Sequence, residues 1–192
     1  GHGVPGAFMT MIGNTLLDKI IRVWHITSPE EILERLHTEI QIVLRQDETN
    51  SVNGMDAVII ALETASPQEI KVTFAGAKNP LYYLSVHEDE IAEIPGARKS
   101  IGGIQDPSKR FKNHVVHLPP QSMLYLGSDG LQDQNDHRRK KFGKKRLVQL
   151  LNQIAPLPLD QQRQIIEANL SKQMQDTMQR DDILWIGLRL QV

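Results

Sequence analysis

Two acidic segments of the sequence carry the residue types that bind divalent metal ions. Ser128-Asp129-Gly130 follows an apolar run at residues 122–126, and Asp181-Asp182 precedes another at residues 183–190. Neighbouring carboxylates repel each other unless protonated or neutralised, and hard cations such as Mg²⁺ and Mn²⁺ prefer oxygen ligands. Two such ions roughly 3.5–4 Å apart would polarise a phosphoryl group and activate water near neutral pH. The residue types therefore indicate Asp129, Asp181 and Asp182 as candidate ligands of a hydrolytic metal centre.

A structural explanation of the same residues stays open. Asp-Gly is a common turn sequence, and acidic residues at strand ends are often solvated. The chain has no cysteine, so a metal would have to bind oxygen or imidazole ligands, which favours Mn²⁺ or Mg²⁺ here. Its seven histidines are scattered along the chain, and we assign them structural or solvent-exposed roles.

The metal hypothesis requires that the two acidic segments meet at one edge of a β-sheet. Strands close together in sequence, with no helix between them, pair in an antiparallel manner. If strands 122–126 and 183–190 are antiparallel neighbours, the end of the first lies beside the start of the second, and Asp129 meets Asp181 and Asp182. Six stretches rich in β-forming residues and separated by turn sequences are predicted strands before the last one: residues 57–62, 69–75, 81–86, 91–94, 115–118 and 122–126.

Helical periodicity frames these strands on both sides. Apolar residues recur three and four apart over residues 5–24 and 32–44, and again over residues 146–154 and 159–174. Ser28 followed by Pro29 and two glutamates is a helix start, with a capping residue, proline in the first turn and acids at the positive end of the dipole. The order helices, strands, helices, strand predicts an α+β layered fold, and we predict a single domain over residues 1–192.

Composition excludes several classes of protein. A formal net charge of −1 gives no overall reason to expect binding to nucleic acid. No apolar run approaches the length that crosses a membrane, and the first residues lack the pattern of a signal peptide. The expectation is a cytoplasmic protein without nucleic-acid or membrane partners in this segment.

Five segments resemble, in the same order, the motifs of bacterial SpoIIE/RsbU-type serine phosphatases, which are metal-dependent type-2C (PPM-type) protein phosphatases. Ordered agreement from the first residue to the last strand is far more specific than any single motif. The segments are Gly1-His2-Gly3-Val4-Pro5-Gly6-Ala7, Asn53-Gly54-Met55-Asp56, Phe74-Ala75-Gly76-Ala77, Ser128-Asp129-Gly130-Leu131 and Arg180-Asp181-Asp182-Ile183.

The resemblance implies an α-β-β-α sandwich with two Mn²⁺ or Mg²⁺ ions at one end. It implies hydrolysis of phosphoserine or phosphothreonine on proteins by direct attack of metal-bound water. Asp129 and Asp181 match metal-binding, catalytic aspartates of the family, and Asp182 is the adjacent candidate. Gly1, His2, Gly3 and Gly130 match residues that form the scaffold of the motifs, and Gly130 would permit a tight turn close to the metals. Asp56 receives a structural role at a strand start.

The resemblance also implies partners. The family dephosphorylates bacterial regulatory proteins in signal transduction, with an anti-sigma-factor antagonist as one candidate substrate here, and an upstream sensor or receiver domain controls it. The alternative function is that of a phosphatase-like binding or signalling module without catalysis.

One departure from the family pattern concerns the first motif. In the family a metal-binding aspartate lies three residues before Gly-His-Gly, and this sequence starts at that glycine. We therefore expect a domain that lacks its first strands, weak metal binding, and little or no phosphatase activity of residues 1–192. Exposed sheet edges and an uncovered apolar face would favour association, so we also expect a homo-oligomer.

A dense run of basic residues follows the Asp129 motif, at residues 138–141 and 144–146. The simpler interpretation is a solvated loop that leads into a helix. The functional interpretation is a docking surface for an acidic or phosphorylated protein beside the metal site.

Overall fold

The computed structural model describes residues 3–49, 54–106 and 108–191, and the chain divides into two compact units. Both units combine helices with β-strands, which confirms the predicted α+β class. The single domain predicted over residues 1–192 stays a prediction. Unit 1 consists of Gly1–Ala65, Lys71–Leu81 and Ile94–His117, and unit 2 of Ser66–Ile70, Tyr82–Glu93 and Leu118–Val192.

Unit 1 begins with the predicted helices. The apolar face predicted over residues 5–24 forms an α-helix followed by one π-helical turn, in which the Trp24 N–H donates to the Lys19 carbonyl oxygen. Pro29 occupies the first turn of the next helix. The buried face of this helix includes the fully buried side chains of Leu33, Leu36 and Ile40. The helices are α1 (Gly3–Asp18), the π-helix (Lys19–Val23), α2 (Pro29–Val43) and α3 (Gln46–Thr49).

Two sets of strands accompany these helices. A two-residue antiparallel ladder pairs Gly54 with Gly102 and Met55 with Ile101. A three-stranded sheet has the order β2-β3-β7, and its central strand is buried along most of its length. The strands are β1 (Gly54–Met55), β2 (Ala57–Ser66), β3 (Glu69–Ala77), β6 (Ile101–Gly102) and β7 (His114–Leu118).

A buried histidine ties α2 to β6 and should make unit 1 sensitive to pH. The Nδ1 atom of His37 accepts the Gly102 N–H at 2.9 Å, so the ring must be neutral on that side. Burial, aided by the charge of Lys99, lowers the pKa of His37 below its ordinary 6.5. Between the two pKa values the unfolded chain is protonated at His37 and the folded chain is not. The contribution of neutral His37 to the stability of the fold is therefore complete above pH 6.5 and is lost as the pH falls toward the folded-state pKa.

We expect the urea midpoint of the chain to fall between about pH 7.5 and about pH 5. The matched variant is His37→Asn, whose side-chain oxygen can accept the same N–H but does not titrate. Its urea midpoint should change less over the same interval. Equal pH dependence of the two proteins would show that another group causes the effect.

Unit 2 holds a four-stranded sheet of order β5-β4-β8-β9 and three helices. Pairing of β8 with both neighbours is antiparallel, with Tyr82 opposite Tyr125 on one side and Gly127 opposite Trp185 on the other. The apolar face of α5 packs into a core around Tyr125. The elements are β4 (Leu81–Leu84), β5 (Ala92–Ile94), β8 (Met123–Gly127), α4 (Gly130–Asp133), α5 (Lys144–Ile154), α6 (Leu159–Gln173) and β9 (Trp185–Arg189).

The core of unit 2 contains a buried polar pair. Gln162 is 3% exposed, and its side-chain oxygen accepts the hydroxyl proton of the fully buried Tyr125 at 2.8 Å. Burial raises the pKa of the Tyr125 phenol, so it remains a donor at every physiological pH. The Leu157 carbonyl oxygen that Gln162 also reaches has a second donor in Arg189. The hydroxyl of Tyr125 is therefore the group that depends most on Gln162.

Gln162→Leu should lower the free energy of unfolding by about 1–3 kcal/mol, because it leaves the Tyr125 hydroxyl buried without a partner. The double variant Tyr125→Phe with Gln162→Leu removes both groups and should recover part of that loss. Urea unfolding followed by tryptophan fluorescence measures both. The single variant Tyr125→Phe completes the comparison. A double variant whose loss of unfolding free energy equals the sum of the losses of the two single variants would show that the two side chains are not coupled.

None of the helices in the described part of the chain is long and apolar enough to cross a membrane.

Candidate metal centre

The predicted meeting of the two acidic segments is present at one end of the β8–β9 pair. The ladder ends with Gly127 opposite Trp185, and β8 and β9 are antiparallel. Asp129 follows the end of β8 by two residues, while Asp181 and Asp182 precede the start of β9. All of these residues lie in unit 2. The sheet register therefore brings the two segments to the same edge.

Ser128 extends the pairing beyond the ladder and fixes the two segments to each other. Its N–H donates to the Leu184 carbonyl oxygen at 3.0 Å, and its Oγ accepts the Leu184 N–H at 3.1 Å. The same hydroxyl donates to the Asp182 carbonyl oxygen at 2.9 Å. A side chain thus replaces part of the backbone ladder, which explains why β9 begins at Trp185 although the apolar pattern predicted residue 183.

Gly130 lies where the two segments approach most closely. A Cβ atom at this position would meet the Asp182 carbonyl oxygen at 2.4 Å, a separation that real Cβ atoms essentially never show. The glycine is buried at the start of α4 and follows Asp129, which has right-handed helical dihedrals. Close approach, rather than an unusual backbone turn, is therefore what requires glycine here.

The candidate ligands are exposed at this edge. Asp129, Asp181 and Asp182 all have solvent-exposed side chains. The Asp182 N–H donates to Asp181 Oδ1 at 2.8 Å, and Gln179 donates to the Asp181 carbonyl oxygen at 2.7 Å, so the second segment is locally ordered. Within the described residues, the Asp129 carboxylate has no hydrogen-bond or ion-pair partner.

This donor set fits a hard divalent cation. It offers carboxylate oxygens at an open edge, on two segments that backbone contacts hold together, and the chain has no thiolate. In the described ranges 3–49, 54–106 and 108–191, however, no group of three or more acidic or histidine residues is close enough to hold a metal ion. The roles of Asp129, Asp181 and Asp182 as metal ligands stay predictions.

A buried glutamine supports both segments from behind. Gln134, 1% exposed, directly follows α4, and its Nε2 donates to the Met178 carbonyl oxygen at 3.1 Å. Its Oε1 accepts the N–H of Arg180, the residue before Asp181, at 3.2 Å. Gln134 therefore joins the helix that begins beside Asp129 to the segment that leads into Asp181. The motifs contain no signal for this role, because Gln134 lies outside all of them.

The remaining predicted scaffold residues belong to the first motif. Gly1 and His2 lie outside the described residues, and α1 begins at Gly3. Asp56 accepts a hydrogen bond from the Ser100 hydroxyl at 3.1 Å beside β2, a contact that fits its predicted structural role.

Comparisons with known proteins found one family model and several similar solved structures. The family model described as Stage II sporulation protein E (SpoIIE) matches residues 1–191. The SiaA-PP2C domain of Pseudomonas aeruginosa matches with a TM-score of 0.84 and 31% identity, over 99% of this chain and 72% of that one. No significant match was found among curated proteins.

Two more distant structures share the fold. The RsbU and RsbW domains of a Mycobacterium tuberculosis protein match with a TM-score of 0.69 and 15% identity, over 100% of this chain and 49% of that one. The Mn-presoaked phosphatase domain of the cell fate determinant SpoIIE from Bacillus subtilis matches with a TM-score of 0.50 and 12% identity, over 93% and 73%.

Proposed function

The chain belongs to the SpoIIE family, and on that basis we propose that it acts as a metal-dependent protein serine/threonine phosphatase. Membership confirms the resemblance predicted from the order of the five motifs, together with an α+β fold of the type-2C phosphatase kind. The observation that carries the proposal is the meeting of Ser128-Asp129-Gly130 with Asp181-Asp182 at the end of β8 and β9. The reaction consumes one water and returns inorganic phosphate and the free hydroxyl of serine or threonine.

Each residue at this edge has a distinct part in the proposal. Asp129 and Asp181 would hold divalent cations through carboxylate oxygens, with Asp182 as the neighbouring candidate. Bound Mn²⁺ or Mg²⁺ supplies Lewis acidity and an activated nucleophile. Ser128 fixes the spacing of the two segments, and Gly130 allows their close contact. The Mn-presoaked structure of the related SpoIIE domain supports the choice of cation.

We propose a phosphorylated bacterial regulatory protein as the substrate. The related chain that carries RsbU and RsbW domains supports a regulatory protein, with an anti-sigma-factor antagonist as the first candidate to test. A cytoplasmic location, an upstream sensor or receiver domain, and homo-oligomerisation stay predictions. Light scattering of residues 1–192 tests the last, and a monomer at every concentration would contradict it.

The test of the proposed function is phosphate release from p-nitrophenyl phosphate and from a phosphoserine peptide, with Mn²⁺ and with EDTA. Residues 1–192 are expected to give a weak Mn²⁺-dependent rate. The same chain extended by Asp-Ala-Thr before Gly1, which adds the aspartate of the family motif, should hydrolyse both faster. A rate from residues 1–192 equal to that of SiaA-PP2C would contradict the expected weakness, and no Mn²⁺-dependent release from either chain would favour the binding module.

A further inference from the structure

A groove of about 640 Å³ lies in unit 2 directly beside the candidate metal ligands. Its walls are residues 134–139, which follow α4, and residues 176–180, which lead into Asp181. Arg139 stands on the first wall and Arg180 on the second. We call this feature the basic groove. A molecule bound in this groove would therefore contact Arg180, the residue directly before Asp181.

The two cations that line the basic groove, Arg139 and Arg180, form no ion pair among the described residues. In the part of the chain that the structure describes, Lys141 pairs with Asp133 at 2.7 Å and Lys144 with Glu93 at 2.6 Å. Arg138, Lys140 and Lys145, which adjoin the groove without lining it, are also exposed and form no ion pair among the described residues. The positive charge predicted from the basic run is therefore only partly compensated.

The two acids on the walls balance only the two arginines that line the groove. Asp136 Oδ1 accepts the N–H groups of Arg138 and Lys140, each at 2.9 Å. These backbone bonds, that of Lys140 first, lower the pKa of Asp136, so its carboxylate stays charged and holds the turn that presents the basic side chains. Asp176 is the other acid on the walls. The lining thus holds two arginines and two carboxylates, one of which is engaged by its own turn, and the excess of positive charge comes from Arg138, Lys140 and Lys145 on the adjoining surface.

The walls are held in place before anything binds. Gln134 connects Met178 and Arg180 to the end of α4. Gln173, 5% exposed, donates to the carbonyl oxygens of Gln134 at 3.1 Å and Lys140 at 2.9 Å. A preorganised surface loses less conformational entropy on binding than a flexible loop does. The simple interpretation of the run as a solvated loop is therefore incomplete.

Two details indicate a polypeptide as the occupant. Asn135 lines the groove, and its side-chain oxygen is buried without a hydrogen-bond partner among the described residues, so a peptide N–H is a suitable donor. Met178, on the opposite wall, is 87% exposed and offers an apolar contact. A buried acceptor and an exposed methionine suit a peptide better than a phosphodiester backbone.

We propose that the basic groove binds an acidic segment that flanks the phosphorylated residue of a protein substrate. The inference rests on the proposed function and deepens it, since it assigns substrate recognition to residues outside the metal-binding motifs. Charge complementarity at such a surface raises the association rate and selects partners more than it raises affinity for a small phosphate ester. Binding should weaken as salt shortens the screening length.

The test is fluorescence anisotropy with a short fluorescein-labelled peptide in which phosphoserine is flanked by glutamates. The same peptide with glutamines in place of the glutamates is its control. The variant Arg139→Glu with Lys140→Glu should weaken binding of the acidic peptide about tenfold or more. The matched variant Arg163→Glu with Lys71→Glu makes the same change in net charge at exposed ion pairs outside the groove and should leave binding unchanged.

The outcomes separate this inference from the proposed function. Mn²⁺-dependent release from p-nitrophenyl phosphate should be equal in the wild type and in both double variants, because Arg139 and Lys140 lie outside the metal-binding motifs. Binding of the acidic peptide without any hydrolysis would contradict the proposed phosphatase activity and would still support binding at the basic groove. Equal binding of both peptides, or equal weakening by both double variants, would overturn the proposal that the basic groove binds an acidic segment. Binding to vesicles of phosphatidylcholine and phosphatidylserine but not to the peptide would overturn it as well.

Discussion

Gly130→Ala should cost about 1–3 kcal/mol of unfolding free energy and most of the Mn²⁺ affinity of unit 2. The added methyl group would lie 2.4 Å from the Asp182 carbonyl oxygen, and that oxygen is held by the Ser128 hydroxyl. Backbone cannot rotate aside as a flexible side chain does, so the two acidic segments must separate. Urea unfolding measures the first effect, and Mn²⁺ titration of the variant measures the second.

Gly187→Ala is the matched control for this substitution. Gly187 lies in β9 of the same sheet, and a Cβ atom there would lie 3.5 Å from the Tyr125 ring, an ordinary contact. This variant should stay within about 0.5 kcal/mol of the wild type and retain its metal affinity. Equal effects of the two alanines would show that the β8–β9 edge tolerates separation, and the geometric account of the site would then be wrong.

Asp129→Asn should raise the dissociation constant of Mn²⁺ about tenfold or more, which is roughly 1.4 kcal/mol, because metal affinity depends on the number of charged oxygen ligands. The same change should leave the unfolding free energy within about 0.5 kcal/mol, since the exposed Asp129 carboxylate has no partner among the described residues. Asp181→Asn should weaken Mn²⁺ binding by a similar factor. Isothermal titration calorimetry with Mn²⁺ measures both variants.

Asp133→Asn provides the control for a general effect of charge. Asp133 lies one helical turn after Asp129 and pairs with Lys141, and its side chain is half exposed. Removing its charge changes the local electrostatic potential by the same unit but removes no proposed ligand, so Mn²⁺ affinity should hardly change. A loss equal to that of Asp129→Asn would mean that the edge attracts cations only diffusely.

Part of the site could be predicted because its strands follow from local sequence patterns, whereas the pairing of β8 with β9 is a hypothesis at the level of sequence that the structure confirms. Alternating apolar residues and turn sequences gave the strands of unit 2, and antiparallel pairing of β8 with β9 then placed Asp129 beside Asp181 and Asp182. The register follows from the single pair Gly127 and Trp185 once both strands are known. The order of five motifs supplied the family, which no single segment could have done.

Other features depend on contacts between residues far apart in the chain, and local patterns do not contain them. Ser28 precedes α2 as expected of a cap, but its side chain makes no capping hydrogen bond. Asn113 takes that role from 83 positions away, with its oxygen accepting the Glu30 N–H at 2.9 Å and its amide donating to the Ser28 hydroxyl. The support that Gln134 gives to Arg180 is of the same kind. Such partners follow from the tertiary structure alone.

Asp129 and Asp181 are proposed to hold a divalent cation at the end of β8 and β9. Paramagnetic broadening of backbone amide signals by substoichiometric Mn²⁺ can show where the ion lies, because the effect locates even a weakly bound ion. If the two aspartates hold the ion, the amide signals of Asp129, Gly130 and Asp181 should broaden first, and Asp129→Asn should abolish this pattern while Asp133→Asn preserves it. Broadening centred elsewhere, or the same pattern in all three proteins, would show that these aspartates do not hold the ion.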